Sequence, residues 1–183
     1  MGIERGDEVI EPLNKIAALF AAGNGRIIAT QDWHPENHVS FAASHEKSRE
    51  AGAGKGIGEE VFWPKHCVQG SKGAELHKDL DTSCVHLILR KGFRPGLDSY
   101  SAFFENDRKT ATGLDGYLKS LSIDTIVIGG LAADYCVLYS AMDAASLAYK
   151  TIVIEEAVRG VNIPAGSVER AFELLEKAGV IIE

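Results

Sequence analysis

Residues 125–158 read TIVIGGLAADYCVLYSAMDAASLAYKTIVIEEAV, and the two ends of this stretch share a character that its middle lacks. TIVIGGL and TIVIEEAV are runs of branched apolar residues without strict alternation, as expected of strands buried on both faces of a sheet. Between them, DYCVLYSAMDAASLAYK carries its apolar residues at helical spacing. Strand, helix and strand in this order make a crossover unit, which joins parallel strands and is almost always right-handed. The stretch therefore predicts an α/β fold.

Working outward, RIIAT from Arg26, VHLILRK from Val85 and VIIE at the C-terminus read as further strands. PAGSVERAFELLEKAG, residues 164–179, has helical periodicity and feeds directly into the last strand. Near the N-terminus, DEVIEPLNKIAALFAAG sets Ile10, Leu13, Ile16, Ala17 and Phe20 at helical spacing and stops at Gly23, with Pro12 in or near the first turn. The stretch from 33 to 83, with AGAGKGIG at 51–58 in its middle, is far longer than an ordinary connection and is expected to form an active-site wall. A chain of 183 residues accommodates one domain over 1–183. Helices on both faces of a parallel sheet give a three-layer α/β/α architecture.

Composition narrows the chemistry. Hydrophobic residues at 45% and charged residues at 25% are ordinary globular values. A net charge of -7 with no Lys/Arg cluster argues against a nucleic-acid partner and for a small-molecule one. No run is long enough for a membrane span and the start lacks a signal-peptide pattern, so a cytoplasmic protein is expected. The three cysteines, Cys67, Cys84 and Cys136, form an odd set without CxxC spacing, which disfavours a disulfide scaffold and leaves room for a working thiol.

Ligands of open parallel sheets bind beyond the carboxyl ends of the strands. The first run ends in TQDWHPENH, offering Asp32, His34 and His38; the second ends in Lys91; the third leads through GGLAADYCV to Cys136. Read as the first turn of the following helix, Cys136 meets unpaired N–H groups and a partial positive charge, and Lys91 is within reach to lower its pKa. The alternative is a small buried hydrophobe. Asp32 and His34 form a D-x-H pair, with His66 across the long loop and His38 as a further candidate. Asp/His ligands with open positions suit one catalytic divalent ion such as Zn, Fe or Mn, although such a pair at a strand end also occurs simply facing solvent. Cys67 reads as a wall residue beside His66, Cys84 as remote, His45, His77 and His86 as surface or core, and Phe103 as core. Trp63, just before His66, is placed to stack on a flat ring.

Taken in order, TQDWHPENHVSFA, FWPKHCVQG, KGFRPGLDSYSAFF and GGLAADYCV resemble the successive motifs of the nicotinamidase/pyrazinamidase group of isochorismatase-like cysteine hydrolases, from about residue 6 to the C-terminus. The D-W-H-P pattern separates this group from the relatives that cleave isochorismate, carbamoyl sarcosine or ureidoacrylate. The resemblance implies hydrolysis of nicotinamide, and of pyrazinamide, in NAD salvage through a thioester on Cys136. It also implies a metal held by Asp32, His34 and His66, a ring contacted by Trp63, Tyr100 and Leu131, and an oxyanion held by the backbone N–H groups of Ala132 and Cys136. The Leu131–Ala132 peptide is expected to be cis, and Lys91 to stabilise the thiolate. A homo-oligomer is compatible with this reading.

MGIERGDEVIEPLNK matches the part of the family pattern that follows its first strand and loop. The chain is thus expected to be N-terminally truncated, without the central strand and the aspartate that ends it; Asp7 aligns elsewhere. General acid-base help of the kind that aspartate gives is worth about 10² to 10⁴ in rate. The alternatives to a nicotinamidase are an inactive metal-binding remnant and a related amidohydrolase of the same superfamily.

Overall fold

The computed structural model describes residues 2–45 and 61–183; AGAGKGIG lies outside the described residues. A 3-10 turn over Gly6–Val9 leads into α1, Ile10–Ala22, which places Pro12 in the first helical turn, where its missing N–H costs nothing. The strands are β1 (Ile28–Asp32), β2 (Leu87–Lys91), β3 (Thr125–Leu131), β4 (Lys150–Arg159) and β5 (Ile181–Ile182), and the later helices are α2 (Leu114–Ser120), α3 (Leu138–Ser146) and α4 (Ser167–Lys177). All strand pairings are parallel.

The pairings fall into two sheets. β1 pairs with β2 from Ile28↔Leu87 to Asp32↔Lys91, and β3, β4 and β5 pair in that order. Among the described residues no strand joins β1 to β3, so the sheet parts between the runs RIIAT and TIVIGGL. Helices hold the two pieces together. Ile28, Leu87 and Leu89 from the first sheet and Ile126 from the second pack with Leu114 and Leu118 of α2 and Ala144 of α3. Ile128, Val153 and Val158 pack on Leu138 and Ala141 of α3 and on Ala171 and Leu175 of α4. Side chains alternate across a strand, so Gly129 faces the other way, and there Leu13 of α1 lies against it. This is a three-layer α/β/α arrangement.

α1 ends where the spacing and Gly23 place its end, but it packs loosely. Its apolar residues have the spacing of a core-facing helix, yet none is buried, and Leu19 and Phe20 are exposed. One expectation is corrected in the segment after β3. Residues 134–150 do not start as an α-helix: Ala133–Val137 is a π-helical turn, and α3 begins only at Leu138. Cys136 therefore sits in a π turn, not in the first turn of an α-helix, and such turns recur at functional sites.

Candidate active site

The carboxyl ends of β1, β2 and β3 open into one cavity of about 630 Å³, lined among others by Asp32, His34, Trp63, Lys91, Leu131 and Cys136. Local backbone bonds bring these side chains together. Register pairs Asp32 with Lys91, and the Trp33 N–H donates to the Lys91 carbonyl at 2.9 Å. His34 N–H donates to the Cys67 carbonyl at 3.0 Å and Gln69 N–H to the His34 carbonyl at 2.8 Å, which laces the D-x-H segment to the segment carrying His66. Trp63 N–H to Ser40 O at 2.8 Å and Ala42 N–H to Trp63 O at 2.9 Å tie the indole to the same wall.

Lys91 is the hub. It is buried, and its Nζ meets three acceptors: Asp32 Oδ1 at 2.5 Å, the Ser99 carbonyl at 2.8 Å and Cys136 Sγ at 3.3 Å. An ammonium has three protons, so each finds a partner. Burial works against the charge, but Asp32 and Cys136 outweigh it and hold Lys91 well above its ordinary pKa. Burial would likewise raise Asp32, yet the Lys91 ammonium keeps its carboxyl below the usual range. For Cys136 the balance goes the other way. Burial pushes the thiol up to about 11 against the downward pull of Lys91, so the resting pair is a neutral thiol beside an ammonium. Lys91 does pull the thiol pKa down, as the sequence led us to expect, but desolvation is the larger effect and the net shift is upward. Alkylation of Cys136 by iodoacetamide is accordingly expected to accelerate with pH up to about 11. A rate already constant through neutral pH would refute this ordering.

Asp32, His34 and His66 each offer one ligand atom, all within 4.8 Å of one another. His34 Nδ1 lies 2.8 Å from the Gly92 carbonyl and His66 Nδ1 2.8 Å from the Pro64 carbonyl. A carbonyl only accepts, so both Nδ1 atoms carry the proton and both Nε2 atoms are left with a free lone pair. The donor set fits a divalent ion. His34 is itself depressed to about 4, burial being the main cause. His38 does not join this group. It is fully buried, with Nδ1 2.7 Å from Ser40 Oγ and Nε2 3.4 Å from the Leu97 carbonyl, and it clusters instead with His34 and Asp98.

Trp63 is buried, donates its indole N–H to Tyr100 Oη at 3.2 Å and meets Tyr135 edge-on at 4.9 Å. Leu131 stands half-exposed at the rim. The Leu131–Ala132 peptide is cis, and Ala132 lines the cavity beside Cys136. Cys67 is a wall residue and Phe103 is core. Cys84 lies in a separate hollow with Arg26 and His86. Glu36 and Lys65 form an ion pair at the rim between the segments that carry His34 and His66.

The sequence reading passed over Asp98, Tyr135 and Val161, all cavity residues. Val161 follows the end of β4, so the strand-end rule applied to every strand finds it. Asp98 sits mid-loop, where only its neighbour Tyr100 gave a signal.

The isochorismatase domain model matches residues 1–183. A nicotinamidase of Acinetobacter baylyi is 41% identical over 98% of this chain and 82% of its own length. The solved nicotinamidase/pyrazinamidase of Acinetobacter baumanii superposes with a TM-score of 0.92 at 43% identity, covering 99% of this chain and 86% of that one. A pyrazinamidase of Pyrococcus horikoshii, solved in complex with zinc, gives a TM-score of 0.77 at 31% identity over 98% of this chain and 86% of that one. With its motifs, its fold and its full length matched, the chain belongs to the isochorismatase-domain family.

Proposed function

We propose that this chain is a nicotinamidase, an amidohydrolase that converts nicotinamide to nicotinate and ammonia and acts on pyrazinamide in the same way. The observation that carries the reading is the hub at Lys91, which joins a thiol from the β3 end to a carboxylate from the β1 end inside one aromatic-walled cavity. The likeness to nicotinamidases over nearly the whole chain supports the substrate.

In this reading Asp32, His34 and His66 would hold one divalent ion, with Zn, Fe and Mn all compatible with an Asp/His set. Bound there, the ion would act as a Lewis acid toward the ring nitrogen of the substrate and help to orient the ring. Trp63 and Tyr100 enclose the ring, and Leu131 covers it from the rim. Cys136 Sγ attacks the carboxamide carbon, and the N–H groups of Ala132 and Cys136 receive the oxyanion. The thiol proton ends on the departing nitrogen, which leaves as ammonia. Lys91 stabilises the sulfur as it gains negative charge, and water then splits the thioester to release the acid and restore the thiol.

The test is ammonia release from nicotinamide, with benzamide, which lacks the ring nitrogen, as comparator and with Zn, Fe or Mn added in turn. Turnover of nicotinamide well above benzamide supports the reading; equal turnover of both, or none with any metal, overturns it. A second reading, a metal- and ring-binding chain with little turnover, is favoured by one observation. Among the described residues no carboxylate is hydrogen-bonded to Cys136 Sγ to take its proton.

The metal assignment makes its own prediction. Gly92 has φ +61°, and a Cβ there would lie 2.5 Å from His34 Cε1 and 2.7 Å from Nδ1. Gly92→Ala therefore pushes the imidazole off its carbonyl and is expected to weaken zinc binding about 10- to 100-fold in a calorimetric titration. Unchanged affinity would remove His34 from the ligand set.

A further inference from the structure

Asp134, between Ala132 and Cys136 in the π turn, is fully buried. Its Oδ1 accepts from the Val161 N–H at 2.9 Å, and its Oδ2 from the Asn162 N–H at 2.9 Å and from Ser167 Oγ at 2.6 Å. Next to it, Tyr135 Oη donates to the Ile163 carbonyl at 2.6 Å. The segment after β4 is thereby fastened to the residues that flank the thiol. Gly160 shows how close the fit is, since a Cβ there would lie 3.0 Å from Asp134 Oδ1 and 2.2 Å from Val168 Cγ2. The carboxylate is met by two backbone N–H groups and a hydroxyl in the first turn of α4, where the helix dipole also favours an anion. Val161, held by the first of these bonds, packs with Trp63, Ala132 and Tyr135 in the cavity wall.

We propose that Asp134 is a positioning residue: through the π turn it fixes Cys136 against Lys91 and Val161 against the bound ring, without touching substrate. The place of Val161 against a ring and the kinetic arm of the test rest on the nicotinamidase reading; the alkylation arm does not.

Asp134→Asn keeps the shape but turns one acceptor into an NH2 group. Ser167 can rotate its hydroxyl to accept, but the N–H of Val161 or Asn162 cannot, so one buried donor is left unpaired. The loosened turn brings the half-buried Cys136 further into the cavity and into contact with water, so alkylation by iodoacetamide, measured by mass spectrometry against Cys84 in the same molecule, is expected to rise at least about fivefold, a change that one lost hydrogen bond can supply. With nicotinamide, kcat is expected to fall about tenfold with KM nearly unchanged, and Ser167→Ala to move both readouts the same way by less. An unchanged Cys136 to Cys84 ratio in folded Asp134→Asn overturns the proposal, whether or not the chain turns over nicotinamide. If that variant does not fold, an unchanged ratio in Ser167→Ala overturns it. A changed ratio in a chain without turnover supports it and leaves the failure with the nicotinamidase reading.

Discussion

Cys136→Ala is expected to lower ammonia release from nicotinamide by about 10⁴-fold or more, the scale on which removing a covalent nucleophile acts. The expectation rests on placement. Cys136 Sγ accepts a hydrogen bond from a buried ammonium and opens into the cavity that also holds Asp32, His34 and Trp63. Cys67 lines the same cavity and is the natural control. Burial pushes its thiol up to about 11 as well, but no lysine donates to it among the described residues. Cys67→Ala is therefore expected to retain activity within about tenfold, the change to be read as packing of the wall. The alanine variant at 136 keeps Asp32, His34 and His66 untouched, so its zinc affinity is expected to equal that of the parent chain. If Cys136→Ala keeps more than a tenth of the activity, the thioester route fails and the cavity must use water directly.

The strands and the chemical residues were legible because both depend on local pattern. TIVIGGL coincides with β3 residue for residue, and the D-x-H pair, Lys91 and Cys136 all stand at strand ends or just beyond, where a parallel sheet places its ligands. What stayed hidden depends on non-local balance or on hydrogen-bond pattern. α2 has seven residues, too few for a period to emerge. The π turn differs from an α-turn only in which carbonyl each N–H meets, which apolar spacing does not record. The apolar side of α1 looks core-facing in sequence; in the fold the helix packs with β3 and β4 and leaves Leu19 and Phe20 outside. The thiol pKa could not be read because burial and the Lys91 charge act in opposite senses, and their balance depends on how deeply the fold buries the sulfur. Asp134 lay in plain view beside Cys136, but its partners, Val161, Asn162 and Ser167, come from a later segment.

Lys91→Met is expected to affect stability and catalysis together, and the two can be separated with metal. Removing the ammonium strands the Asp32 carboxylate in a partly buried site, and breaking a buried ion pair from one side costs about 3 to 5 kcal/mol. Asp32 retains some exposure, so the lower end of that range is the expectation for the metal-free protein, read from denaturant unfolding. Zinc supplies Asp32 with a cation again, so saturating metal is expected to recover more stability in Lys91→Met than in the parent chain. Activity should not recover with it. Cys136 loses its only described hydrogen-bond donor, burial then acts on the thiol unopposed, and kcat is expected to fall about 10² to 10⁴-fold even with metal bound. Lys91→Arg makes the distinction sharper. A planar guanidinium keeps the charge but cannot aim three donors tetrahedrally at Asp32, the Ser99 carbonyl and Cys136. It is expected to preserve more of the stability than Lys91→Met and little of the activity. Activity near that of the parent in the arginine variant would show that charge alone suffices and that the three-point geometry at Nζ is incidental.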